Sequence, residues 1–566
     1  MVRAKVIGSL VVGFALVALL TACGDEEESP TPTATVTPVA SASPSPLATA
    51  SPPASPGSTA VAPGQPLVVD LAATAPLLTI FAGPKDEDGG DLRNDVPSLA
   101  VGDFNDDGLD DLLLGARFGD GPDNTRKDAG EAYVIFGSRE LPSTIDLAEG
   151  QQNLTFIGEK TGDNLGFGVA AADLNDDGVD DIVVSAPMSE GVQDPDFRTD
   201  RGEVYVVFGR PDLGGIIDLA EGEPDVTIIA AEGFSLLGDS MASGDVNGDG
   251  TADLILGAPF AGRVPGSPHG GERTELGEVY VIFGSRTLAG TISIPQGQQD
   301  FTISGPHQFS ELGDAMAAGD VNGDGITDMI VTAEAADAGD ARSNAGVVYA
   351  LFGSDKLAGI AKTAEGQGDL TVLGAAANDA LGFCATSGDL NDDDIDDIVL
   401  VAQRADGPAR DTSGVGYVIF GSPDLGGTVD VTEGDQDVTI IGADAHDLLS
   451  SCAAGQDLNG DGVDDLLLGT GFANGPENGR AGAGEAYVIF GSPDLPEMLD
   501  LAQGAQDIIL FGAQPDDRLG GAVASGDLNG DGQREMIVVA AYADGPNDDR
   551  LDAGEVYVVT TAGWAQ

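Results

Sequence analysis

The chain has 566 residues, 95 of them Asp or Glu against 24 Lys or Arg, for a formal charge of −71. A surface of that sign repels phosphate backbones and anionic headgroups, and no basic patch interrupts it, which excludes nucleic-acid binding. Three Cys are too few for a disulfide scaffold, and His269, His307 and His446 stand at unrelated points without metal-ligand spacing.

Residues 1–22 carry Arg3 and Lys5, an apolar run from Val6 to Leu20, and small residues before Cys23. That is the pattern of a secretory signal, too short and wrongly flanked for a membrane span. Leu20-Thr21-Ala22-Cys23 resembles the lipobox of bacterial lipoproteins. The resemblance implies cleavage before Cys23, lipid on its sulfur, and an exported chain held at the bacterial envelope. Residues 23–65 then pass from Glu-Glu-Glu to Pro, Ser, Thr and Ala. Such a composition cannot bury a core and reads as a disordered tether. At ~3.1 Å per residue it reaches up to roughly 120 Å.

From residue 66 to about 562 one unit recurs. Asp103-Phe104-Asn105-Asp106-Asp107-Gly108-Leu109-Asp110-Asp111 has further copies beginning at Asp173, Asp245, Asp320, Asp389, Asp457 and Asp527. Position 1 is always Asp, position 3 Asn and position 5 Asp; position 6 is Gly except at Asp394, and position 9 is Asp except at Glu535. Oxygen side chains at alternating places, with a Gly allowing a sharp turn, suit a loop that wraps a hard cation. A plain hairpin turn needs one Asn or Asp and a Gly, not three carboxylates at fixed offsets. Two carboxylates ~4 Å apart repel by about 4 kcal/mol at an effective dielectric of 20, so a countercharge is required.

In the second copy an inner run, Leu165–Ala171, leads into the loop at Asp173. Ile182–Pro187, Gly202–Gly209 and Val226–Ile229 follow, each bounded by Gly, Pro, Asp or Asn. Four short strands per repeat, none able to cover its own faces, predict an all-β, seven-bladed propeller of four-stranded antiparallel blades. The last unit stops at Val556-Tyr557-Val558-Val559, one strand short, while Leu77-Leu78-Thr79-Ile80-Phe81-Ala82 precedes the first loop unassigned. Residues 77–82 are therefore expected to form the outer strand of the seventh blade and close the ring.

The units resemble the FG-GAP repeats of the integrin α-subunit propeller and its bacterial relatives. Gly166-Phe167-Gly168 with Ser185-Ala186-Pro187, and Gly257-Ala258-Pro259, match the signature; Thr332-Ala333-Glu334 in the fourth unit departs from it. The resemblance implies up to seven structural Ca²⁺, each held by side chains at positions 1, 3, 5 and 9 and the carbonyl of position 7. Those sets are Asp103, Asn105, Asp107, Leu109 and Asp111; Asp173, Asn175, Asp177, Val179 and Asp181; and Asp245, Asn247, Asp249, Thr251 and Asp253. The fourth and fifth are Asp320, Asn322, Asp324, Ile326 and Asp328, and Asp389, Asn391, Asp393, Ile395 and Asp397. Asp457, Asn459, Asp461, Val463 and Asp465 form the sixth, and Asp527, Asn529, Asp531, Gln533 and Glu535 the seventh.

Cys384 and Cys452 each lie five residues before a loop Asp, where other units carry Ser98, Gly168, Ser240, Ala315 and Ala522. Small residues there suit a crowded strand near the ring axis. The two Cys read as buried thiols, or as a disulfide between neighbouring blades if their Cα atoms approach within about 7 Å. The long stretches Arg117–Gly130, Met188–Gly202 and Phe260–Gly277 should project opposite the calcium turns, and a binding face is expected there. The function expected is a calcium-stabilised, lipid-anchored surface module that binds a protein or glycan and is not an enzyme. A propeller-based hydrolase or lyase and a passive envelope scaffold are the alternatives. Sparse His and Cys suggest no nucleophilic triad, and carboxylates are too abundant for any pair to signal a glycosidase.

Overall fold

The computed structural model describes residues 66–82, 98–121, 124–189, 201–222, 224–230, 235–262, 276–339, 341–546 and 550–561. The signal segment, Cys23 and the tether lie outside the described residues. Seven sheets are present, each of five strands. In blade 1, Leu99–Gly102, Asp111–Ala116, Glu131–Ile135 and Leu154–Ile157 pair antiparallel in order. The first strands of successive blades pack side by side, and Leu519–Gly526 of blade 7 returns to Leu99–Gly102 of blade 1, so the ring is closed.

Each blade is covered on both faces by its neighbours, which is why the second strands are continuous apolar runs without alternation. All six residues of Asp111–Ala116, Asp181–Ala186 and their five counterparts are buried. The core is correspondingly divided into seven apolar layers, each between two adjacent blades, such as Leu112, Leu114 and Tyr133 against Ile537, Val539 and Val556.

The expected closure is observed. Leu78–Phe81 pairs antiparallel with Glu555–Val559, setting Leu78 opposite Val558 and Ile80 opposite Val556. The four antiparallel strands expected per blade are present, and a fifth strand adds in parallel to every outer edge. Gly215–Asp218, which lies between the third and fourth strands of blade 2, pairs with Leu154–Ile157 of blade 1. Blade 7 receives Thr144–Asp146, and blade 6 receives Leu67–Asp70 from the N-terminal segment. These strands are only three or four residues long and most are half exposed, so apart from Leu67-Val68-Val69 no apolar run marks them.

Arginines lock these edge strands. Arg126, Arg342, Arg410, Arg480 and Arg550 each stand five residues before a third strand and grip Asp218, Asp430, Asp500, Asp70 and Asp146 at the edge strands contributed by the following unit. Four of them also donate to a Gly carbonyl after the fourth strand of their own blade: Gly158, Gly374, Gly442 and Gly512. Arg198 and Arg273 hold the same offset but lie outside the described residues; the edge strands laid on those two blades carry Ser293 and Lys362 in place of Asp. Near the axis, Cys384 and Cys452 form a disulfide between the first strands of blades 5 and 6, with Cα atoms 6.1 Å apart. The disulfide reading thus replaces that of two separate thiols.

Candidate metal centres

Every acidic loop lies between the first and second strands of its blade and repeats one hydrogen-bond scheme. In loop 1, Asp103 accepts from the amides of Asp107 (3.2 Å) and Gly108 (2.8 Å), and Asp107 accepts from the amide of Leu109 (3.0 Å). The same bonds bind Asp173, Asp245, Asp320, Asp389, Asp457 and Asp527 to positions 5 and 6. Asp177, Asp249, Asp324, Asp393, Asp461 and Asp531 likewise hold the amides of Val179, Thr251, Ile326, Ile395, Val463 and Gln533. Position 6 is left-handed throughout, including Asp394 at φ 65°, as its place in the pattern requires. Position 4 is left-handed too, filled by Gly248, Gly323, Gly460 and Gly530 or by Asp106, Asp176 and Asp392. The fifth loop therefore carries two strained non-Gly residues, at about 1–2 kcal/mol each.

Position 9 is the buried anchor. Asp111, Asp181, Asp253, Asp328, Asp397, Asp465 and Glu535 are all fully buried. Asp111 Oδ2 accepts from the amide of Phe104 (3.0 Å) and Oδ1 from that of Gly137 (2.8 Å), just past the third strand. Gly209, Gly284, Gly353, Gly421 and Gly491 do the same for the next five loops. Each of these glycines follows a Phe, and a Cβ on Gly137 would lie 2.4 Å from the Asp110 carbonyl. Close approach of the acidic turn thus explains a second Phe-Gly pair, distinct from Phe167-Gly168, that sequence reading passed over.

Burial pushes the carboxyls of Asp111, Asp181, Asp253, Asp328, Asp397 and Asp465 up to about 7; the amide bonds oppose this, while the charges at positions 1 and 5 add to it. Glu535 is pushed up to about 8, by burial first and then by Asp531 and Asp527. Acids so placed need a countercharge to stay ionised at neutral pH. Position 3 completes the set: Asn105, Asn175, Asn247, Asn322, Asn391, Asn459 and Asn529 direct the side-chain amide at the position-9 carboxylate. A half-turn of that amide exchanges N for O and presents an oxygen to the same point. Glu535 Oε2 is buried with no hydrogen-bond partner among the described residues. Oxygen donors, excess negative charge and an orphaned buried oxygen fit a hard divalent cation. Asp103, Asn105, Asp107 and Asp111 would hold it in loop 1, and their counterparts in the others.

The loops also stitch the blades together, through a position the sequence reading did not use. Position 8 is Asp in four loops: Asp180, Asp396, Asp464 and Asp110 accept from the amides of Asp103 (3.0 Å), Asp320 (2.8 Å), Asp389 (3.0 Å) and Asp527 (2.8 Å) in the preceding blade. Asp at that offset in four of seven copies was the available signal.

Six stretches match the family model "FG-GAP repeat": 96–135, 165–207, 237–282, 312–351, 450–489 and 519–559. Six of the seven blades carry the FG-GAP repeat. The fifth unit, with Asp394, folds into the same blade and makes the same loop bonds. The FG-GAP propeller is 30% identical over 217 residues to human phosphatidylinositol-glycan-specific phospholipase D, covering 38% of this chain and 24% of that protein. Against integrin alpha-5 of Xenopus laevis it is 29% identical over 238 residues, 42% of this chain and 19% of that one. The chain thus spans a quarter or less of these relatives, and the propeller alone does not decide between enzyme and non-enzyme. A crystal structure of BBS1N in complex with ARL6DN aligns at a TM-score of 0.42 with 9% identity, covering 85% of this chain and 99% of that one. Among the described residues, no helix is long and apolar enough to cross a membrane.

The opposite face of the FG-GAP ring has a different character. Among the described residues, the only three carboxylates whose oxygens lie within 4.8 Å of one another are Glu311, Asp314 and Glu334, at the junction of blades 3 and 4. The loop carboxylates are instead spread onto backbone amides. At the junction of blades 6 and 7 the Arg518 guanidinium lies between Phe472 (4.8 Å) and Tyr542 (4.1 Å), with Phe472 exposed.

Proposed function

We propose that this FG-GAP propeller is a calcium-stabilised binding module, exported, anchored through lipid on Cys23, and carrying no catalytic activity of its own. Calcium occupies the seven acidic turns and adds to the stability of the ring, and a protein or glycan partner docks on the face opposite those turns. The observation that carries the docking reading is the clustering there of Phe472, Arg518 and Tyr542, aromatic and arginine side chains of the kind that anchor interfaces. Support for export comes from the disulfide between blades 5 and 6, which persists in oxidising compartments. The integrin relatives favour a binding role. The phospholipase D relatives favour a second reading, a hydrolase, to be tested by screening the full chain against hydrolase and lyase substrates.

Calorimetric titration with Ca²⁺, followed by protein and glycan arrays in calcium and in chelator, tests the proposal. Binding of several ions and calcium-dependent capture, weakened by Phe472→Ala and Arg518→Ala without loss of ions, is the result expected. An array that stays blank in calcium rejects the binding role and leaves the scaffold reading.

A further inference from the structure

The seventh loop differs from the other six where the ring is joined. In loops 1 to 6 the position-9 Asp places one oxygen on the amide of a Gly after the third strand. The seventh unit has Thr561 where the others have that Gly, and its hydroxyl donates to the Arg534 carbonyl (2.6 Å). Position 9 is correspondingly the longer Glu535, whose Oε1 takes the Asn529 amide while the fully buried Oε2 has no partner among the described residues. Six loops therefore satisfy both oxygens of their innermost carboxylate with protein N–H groups, and the seventh leaves one of them, Glu535 Oε2, without a partner among the described residues.

This loop also lies on the seam. Its residues hold blade 1 from the other end of the chain: the Asp110 amide donates to the Asp527 carbonyl (3.2 Å), and the Ser138 amide to the Leu528 carbonyl (2.8 Å). Asp110 Oδ2 accepts from the Asp527 amide (2.8 Å) and pairs with Arg534 (3.2 Å). Opening the ring at this seam means parting these contacts together with the pairing of Leu78–Phe81 to Glu555–Val559.

We propose that the seventh loop is a cation-dependent latch: a divalent ion on Glu535 holds the ring closed, whereas the other six turns keep their shape without one. The proposal rests on the calcium reading above. A buried oxygen left without a partner favours local opening by about ten- to hundredfold, and an ion that engages it reverses that bias.

The test is hydrogen exchange on the full chain during stepwise chelation. Val556 and Val558, paired to Leu78–Phe81, should lose protection about ten- to hundredfold at chelator levels that leave Ile398–Ala402 of blade 5 protected. Glu535→Gln should show that loss with calcium present and bind one ion fewer. Asp465→Asn, the same position away from the seam, should bind one ion fewer and keep the seam protected. Chelation that loosens blade 5 before or together with the seam overturns the latch, and the wild-type chain alone decides this if Glu535→Gln does not fold. Equal seam protection in the two variants also overturns it. A wild-type chain that binds no Ca²⁺ in calorimetry overturns both the latch and the calcium reading beneath it.

Discussion

Replacing Arg550 by Ala removes the clamp that ties blade 7 to the edge strand of the first unit. Arg550 is 4% exposed, and the side chains of the Arg550–Asp146 pair are 2% and 18% exposed, so little water can replace the lost partner. Removing one member of a buried pair costs about 3 kcal/mol. The Arg342–Asp430 clamp is chemically the same, but both of its side chains are 22% exposed, and its loss should cost nearer ~1 kcal/mol. Unfolding entropy of about 2.1 cal/mol/K per residue over the roughly 450 described residues gives about 1 kcal/mol/K. Calorimetric melting should therefore fall about 3 °C for Arg550→Ala and ~1 °C for Arg342→Ala. Arg550→Lys should recover less than half the loss, since an ammonium lacks the planar fork. Burial pushes the Asp146 carboxyl up, and the bonds and charge of Arg550 outweigh it, leaving it below the usual carboxylate range. The clamp's contribution is thus present above the ordinary value of 3.8 and is lost only as pH falls through the lower folded value. Arg550→Ala melting no lower than Arg342→Ala would refute the reasoning that burial sets the strength of these clamps.

Glu485, bonded by the Tyr487 hydroxyl and facing Asp447 and Asp444, is pushed by burial from 4.5 up to about 7, so its stabilisation is full below pH 4.5 and lost as pH rises through 7. The loss is of order 3 kcal/mol at most, and Glu485→Gln should flatten the melting profile over that window; an unchanged slope rejects the assignment. Asp253→Ala strands the amides of Val246, Asn247 and Gly284 and should cost about 3 kcal/mol even in chelator, by denaturant titration. Asp249→Ala loses only the exposed Thr251 bond, so its cost should appear only when calcium is present. Reducing Cys384–Cys452 opens a loop of sequence separation 68 and should remove about 4 kcal/mol, read as lower melting with reductant; Cys384→Ser should melt alike with and without it.

The seven blades were legible because local chemistry marks each one. The Asp-x-Asn-x-Asp-Gly turn and the continuous apolar second strand after it depend on residues close in sequence, and even the closing strand at Leu78–Phe81 matched its equivalents in other units. The edge strands were not legible, since Gly-Ile-Ile-Asp at 215–218 is short, exposed and paired with another repeat. A trace of them existed in the recurrence of Asp-Leu-Ala at Asp70, Asp146, Asp218 and Asp500, and in an Arg five residues before every third strand. Neither reads as a contact until the fold sets the Arg of one unit against the Asp of the next.

By itself the sequence determined the repeat, the turn chemistry and the ring, because a blade's strands and its acidic turn are specified within about seventy residues. Tertiary structure alone decided how the blades are held to one another: the parallel edge strands, the Arg–Asp clamps, the position-8 carboxylates, the disulfide and the unpartnered Glu535 oxygen at the seam. Each of these joins residues from different units or depends on a neighbouring blade's approach, and spacing along one chain does not encode which surfaces meet across a closed ring.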